Sequence, residues 1–221
     1  MESSLRERTL RGFEYLKKEF GSYPRLFCNH GFNRENLYWG SKRFQSPLFR
    51  ALLAVAPGTR SIKYHGDDED SPYFWGDLAL AHIQYVRNFT FQRLNMLEMN
   101  PEMPYRLRGT KHVNFWFSTS DAPDVKAFNC LLTRERMDKL ERDGGVCIVS
   151  THLGKGFGTN GKLDQETDNI LRYLSSKSGW FVPVSEILDY LRRKQGGGEL
   201  SDIARLKLEC LYILDKLHLA F

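Results

Sequence analysis

The chain has 221 residues, 41% of them hydrophobic and 13% aromatic, enough apolar surface for one sizeable core and too much for a disordered segment. The net charge of +5 is spread over interspersed Lys/Arg and Asp/Glu without a long basic run, which reads as a solvated surface and not as a nucleic-acid footprint. No apolar run approaches membrane-spanning length, residues 1–8 are too charged for a signal peptide, and the four cysteines form no C-x-x-C pair, so the expectation is a cytoplasmic chain with no membrane partner and no thiol zinc site.

Residues 4–20 predict an amphipathic helix. Leu10, Phe13, Leu16 and Phe20 recur at helical spacing, with Ser4 as N-cap, Glu7 placed for a capping box and Gly21 as the stop. Residues 25–28 read as a short strand running into Asn29-His30-Gly31 and a polar, aromatic loop that ends at Gly40. There Tyr38 and Trp39 offer flat faces to sugars, Asn33 and Asn36 can bond hydroxyls, and His30 follows a strand end where it can face a sugar or a metal. The competing assignment is a surface loop with both aromatics in the core.

Residues 47–55 predict a helix capped by Ser46. Residues 62–65 suggest a strand leading into the acidic run 67–70, whose consecutive carboxylates form a solvated turn and not a calcium loop. Residues 77–87 fit a helix, and strand-like alternation begins at Asn88. Residues 113–121 form an apolar strand containing Trp116 and ending on Asp121, with Asp124 close behind. One acid caps the following helix, and the other is placed to orient a histidine. That helix is expected to reach Gly144-Gly145.

The stretch from Val146 to His152 reads as a buried strand ending on Ser150-Thr151-His152. Chemistry in α/β folds gathers at the carboxyl ends of such strands, which makes His152 the best single candidate for a working residue. The glycine-spaced loop 154–162 lacks the order of a phosphate-binding loop. A helix over 163–176, a strand over 180–184 and a helix over 186–194 follow. Residues 195–198 read as a linker, and 200–221 as a helix with a broad apolar face that either docks on the domain or meets a partner helix in an oligomer.

Helix and strand alternate at least four times, the plan of an α/β protein with a parallel sheet or barrel and a site at its mouth. The stretch Cys147-Ile-Val-Ser-Thr-His152, a helix, then Gly179-Trp-Phe-Val-Pro-Val-Ser185-Glu-Ile-Leu-Asp-Tyr-Leu191 resembles the closing segment of polysaccharide deacetylases, the NodB-type distorted (β/α) barrel. Phe20-Gly21-Ser-Tyr-Pro24-Arg-Leu-Phe27 is similar to a helix-Gly-x-x-Pro segment of the same family. The resemblance follows residues 4–194 in order, with an unusual middle between Asn33 and Lys111. It implies a partial or distorted barrel over residues 1–194, lacking its N-terminal strands, with 195–221 appended.

What the resemblance implies for function is a hydrolase that removes N- or O-acetyl groups from a carbohydrate. In the family a divalent metal, zinc, held by Asp-His-His activates water, an Asp acts as base and a His protonates the leaving group. His152 matches the acid histidine, and Asp121 or Asp124 falls near the acid that orients it. His30 falls in register with an Arg-bearing loop. The Thr-Phe-Asp-Asp-Gly and His-x-x-x-His motifs, which precede this segment in the family, are absent from the sequence. Three readings stay open: a piece of a glycan deacetylase without activity as it stands; a non-catalytic carbohydrate-binding or scaffold module with Tyr38, Trp39, Trp75 and Trp116 at its mouth; and a remodelled site using His30, His152 and an Asp as metal ligands.

Overall fold

A computed structural model describes residues 4–55 and 63–217. It is an α/β fold on a parallel sheet of four strands in the order β1 (Leu26–Cys28), β2 (Tyr85–Phe91), β3 (Phe115–Asp121) and β4 (Val149–Ser150). Each strand lies beside the next in sequence, with no reversal of order. Among the described strands this sequential winding is compatible with a partial barrel. Helices α1 (Arg6–Phe20), α2 (Pro47–Val55) and α3 (Gly76–His82) precede β2. Helix α4 (Met96–Met99) lies between β2 and β3, and α5 (Val125–Leu131) and α6 (Arg134–Asp143) lie between β3 and β4. The hairpin β5 (Gly158–Thr159) and β6 (Lys162–Leu163) and the helices α7 (Gln165–Ser175), α8 (Val184–Gln195) and α9 (Asp202–Lys216) complete the chain. Among the described residues no helix is long and apolar enough to cross a membrane.

Two compact units divide the chain. The first holds residues up to Asn88, Pro104–Phe117 and Leu191–Glu209; the second holds Phe89–Met103, Ser118–Tyr190 and residues from Cys210. In the first unit, Phe13 of α1 and Phe27 of β1 pack on the buried Trp75, with ring centroids 5.8 and 4.6 Å apart. The Trp75 indole N–H donates to the Glu35 carbonyl (2.6 Å), so the ring is satisfied as well as buried. The second unit is organised on Leu94, Ala122, Phe128, Leu131, Met137 and Ile170, which bring β3, α5, α6 and α7 onto one core.

Several local expectations shift. Helix α1 starts after Leu5, which makes no side-chain cap; the Ser4 N–H donates instead to Glu35 Oε2 (3.1 Å). The helix expected over 77–87 stops at His82, because Tyr85–Phe91 is almost wholly buried as a strand and registers with β1 at Leu26↔Tyr85 and Cys28↔Arg87. Lys63–His65 is not a strand, and the rest of that expectation lies outside the described residues. The helix after β3 breaks at Leu132, and Thr133 caps a second one through the Arg136 N–H (3.3 Å). Residues 158–163 form a hairpin whose turn, Asn160-Gly161, takes positive φ at both positions (53° and 72°), as a type I′ turn requires. Residues 180–183 are not a strand. The glycine run at 195–198 is folded: Gly197 is buried, and Arg106 pairs with Gly198 O (2.9 Å) and Leu200 N (3.0 Å). In α9, Leu208 and Glu209 are buried in the first unit, with Glu209 accepting from the Gln45 and Ser46 amides (2.7 and 3.2 Å) ahead of α2. Tyr212 packs on Phe89 (4.6 Å) in the second.

Entry into β4 depends on one side chain. Asn95 Oδ1 accepts from the Leu97 N–H (3.1 Å) at the start of α4 and from the Val146 N–H (3.2 Å), while the Met96 N–H donates to the Val146 carbonyl (2.7 Å). This close approach needs glycine at 145, where a Cβ would stand 2.5 Å from Asn95 Cγ. Gly145→Ala is expected to lower stability by about 1–3 kcal/mol in urea unfolding, through displacement of Asn95 from both amides. An unchanged midpoint would contradict this arrangement.

Candidate functional site

The register Asp121↔Ser150 brings the last residue of β3 beside the last residue of β4 in the second unit. Ser120 N–H donates to Ile148 O (2.8 Å) and Ala122 N–H to Ser150 O (3.0 Å). Side chains alternate along β3. Ser118 and Ser120 bond toward the connection that carries α4, to Asn100 Nδ2 and to Leu94 O, each at 3.2 Å. Asp121 points to the other face. Its Oδ2 accepts from Thr90 Oγ1 (3.3 Å) at the end of β2 and from Lys216 Nζ (3.0 Å) in the last turn of α9. Asp215, buried beside Lys216, accepts from the Gln92 N–H (3.1 Å to each oxygen). The carboxyl ends of β2 and β3 thus carry two carboxylates, one ammonium and a threonine hydroxyl.

His152 lies two residues beyond Ser150, half-buried in the loop after β4. That loop is pinned: Lys155 N–H donates to His152 O (2.9 Å), and Lys155 O accepts from Val125 N (3.1 Å) in the first turn of α5. The hydroxyls of Thr119 in β3 and of Thr151, beside His152 in sequence, are buried without a hydrogen-bond partner among the described residues. The structure also separates the roles of the two acids. Asp124 is the N-cap of α5, with Oδ1 accepting from the Ala127 N–H (2.8 Å), while Asp121 is the strand-end carboxylate.

The remaining candidates belong to the first unit. After β1, side-chain amides take the place of a sheet ladder. Asn29 exchanges two bonds with the backbone of Leu37, each 2.9 Å, and Asn36 Oδ1 accepts from the His30 N–H (3.0 Å). His30 is exposed at the head of this loop and Asn33 is half-buried. Tyr38 sits at φ 46°, its N–H donating to Asp67 Oδ1 (2.9 Å) and its Oη accepting from the His112 N–H (3.3 Å). Burial pushes its phenol up to about 12. Trp39 donates its indole N–H to Gly31 O (3.2 Å), and the Arg43 guanidinium lies 4.0 Å from its ring centroid. Trp116 is 1% exposed and donates to Thr110 Oγ1 (3.1 Å). The stacking role expected for Trp116 gives way to a core role, since both faces of the ring are walled in. His152, Asp121 and Asp124 fall in the second unit.

No family model matches the chain, and no curated protein and no solved structure matches it. Among the described residues no three His, Cys, Asp or Glu side chains stand together as a metal site. The donors at the strand ends, two carboxylates with an ammonium between them, do not fit a three-ligand zinc centre. What they offer is an oriented carboxylate at the end of the strand paired with the one whose loop bears His152.

Thr90, Asp215 and Lys216 escape sequence reasoning. Thr90 is one polar residue in an alternating strand. Lys216 meets Asp121 across 95 positions of sequence, and the only local signal is an Asp-Lys pair closing an apolar helix. Because Asp124 acts as a cap, Asp124→Ala is expected to cost about 1 kcal/mol of stability and to leave the His152 ring signals in place by NMR. A shift of those signals equal to that caused by Asp121→Asn would contradict the division of roles.

Proposed function

We propose that this chain is part of a polysaccharide-deacetylase-type (β/α) barrel acting on an acetylated glycan, and that it contributes the acid histidine His152 and its orienting carboxylate Asp121. The observation that carries this reading is the pairing of Asp121 with Ser150, which sets the strand-end carboxylate beside the strand whose loop bears His152. It is supported by the sequential order of four parallel strands and by polar side chains gathered at their carboxyl ends, where barrel enzymes place their chemistry. The pattern Gly179-Trp-Phe-Val-Pro-Val-Ser185 resembles the closing segment of the family in sequence, while residues 180–183 form no strand here.

In this reading the zinc ligands and the general base of the family are not supplied by the residues of this chain. The role of its own residues is to bind and orient. Lys216 and Thr90 fix the direction of the Asp121 carboxylate, and Asp121 turns the His152 imidazole toward the sugar. Hydrolytic turnover by these residues alone is therefore not expected. A stacking platform made of Trp39 and Trp116 is less well supported, because both indoles are engaged internally.

The test is a titration with an N-acetylated chitin oligosaccharide, following the histidine rings by NMR and acetate release in parallel. The His152 ring signals move while those of His65 and His112 stay in place, and no acetate appears. Asp121→Asn weakens the response. Binding that leaves His152 unmoved, or acetate release by the chain alone, would contradict the proposal.

A further inference from the structure

A second feature of the second unit is independent of that reading. Strand β4 is the last strand of the sheet, and its outer edge is open. In the parallel ladder, Ile148 and Ser150 serve β3, which turns the Val149 N–H and C=O away from it. Among the described residues, no hydrogen bond reaches the backbone of Cys147 or Val149 from the open side. The stretch Trp180-Phe181-Val182 lines the same groove, of about 600 Å³, as Cys147 and Val149. This stretch is held at both ends, by Ser178 N–H on Glu141 Oε1 (2.8 Å) and by the turn in which Glu186 N–H meets Pro183 O (2.9 Å). Between these anchors its backbone makes no hydrogen bond among the described residues, and Trp180 and Phe181 are 56% and 59% exposed. Apolar side chains of α5 and α6 line it too, and its two charged groups, Lys177 and Glu141, pair with each other (3.3 Å).

We propose that this groove is a strand-acceptor site, occupied by an extended, uncharged segment of another polypeptide rich in β-branched side chains. The partial charges of the two stretches argue for that occupant. The lining stretches at Val149 and at 180–182 carry N–H and C=O groups with no partner among the described residues, and an extended chain presents complementary rows of such groups, whereas a small apolar molecule has none to offer. The apolar lining takes the alternate side chains on one face. A short, neutral, uncovered edge is also the kind of feature that pairs with foreign strands. The site accounts for a strand-like sequence at 180–184 that finds no ladder: it lines the groove, and the incoming strand supplies the bonds.

The probe is the peptide acetyl-Val-Thr-Val-Thr-Val-amide, added to the full chain, with amide hydrogen exchange read by NMR. The expected result is exchange about tenfold slower at Val149 and at amides of residues 180–182, with the β3 amides unaffected. Val149→Pro, which removes an N–H that β3 does not use, abolishes this protection with the circular dichroism unchanged. A peptide N-methylated at alternate residues fails to protect the wild-type chain. Three results would overturn the proposal: unchanged exchange up to the solubility limit of the peptide; equal protection by the N-methylated peptide, which would mark a merely apolar pocket; and protection that grows with protein concentration without peptide, which would mark a second copy as the occupant.

Discussion

The parallel ladder between β3 and β4 is the constraint on which the rest of the second unit depends. It consists of few bonds, because β4 is only two residues long, yet it decides which side chains share an end of the sheet. Strand periodicity is two, so a slip of one residue would exchange the faces of Thr119 and Ser120 and carry Asp121 away from Lys216 and Thr90. The serines of β3 hold the register from behind by bonding to the segment around α4. Asn95 holds it from the side by joining that same segment to Val146. The position of the strand-end carboxylate is thus the outcome of polar contacts outside the sheet as much as of the ladder.

Side-chain amides recur as substitutes for backbone pairing. Asn29 and Asn36 fold the loop after β1 in the first unit, and Asn95 and Asn100 tie α4 to its neighbours in the second. Buried backbone groups must be paired, and where the chain leaves regular structure an asparagine can offer donor and acceptor at once. The same rule makes the exceptions informative. Among the described residues, the Thr119 and Thr151 hydroxyls and the backbone of Val149 and of residues 180–182 are the places where that rule is not met.

Much of this was legible in the sequence. The run Val113 to Asp121 announces a buried strand with a polar end, because apolar β-branched and aromatic residues stop abruptly at small polar ones; the buried strand expected from Val146 to His152 shrinks to the half-buried pair Val149–Ser150. An acid just before an apolar helix announces a cap, and Asp124 is one. The failures share a cause in tertiary context. Tyr85 fits a helical face with Leu78, but burial on both sides of the sheet makes the same stretch a strand. Trp180 to Val184 has the composition of a strand, but composition cannot supply a neighbour to pair with. Trp39 and Trp116 have the chemistry of sugar platforms, while Arg43 and Thr110 decide their use. Lys216 could not be assigned at all, since its partner is set by where α9 ends in space.

The ladder register is the claim most open to direct test, by through-hydrogen-bond scalar couplings in isotope-labelled protein. The account predicts correlations from the Ser120 amide to the Ile148 carbonyl and from the Ala122 amide to the Ser150 carbonyl, with none to Val149. Correlations from Thr119 or Asp121 to β4, or to a carbonyl one residue away, would place Asp121 on the opposite face and remove the physical basis of the site.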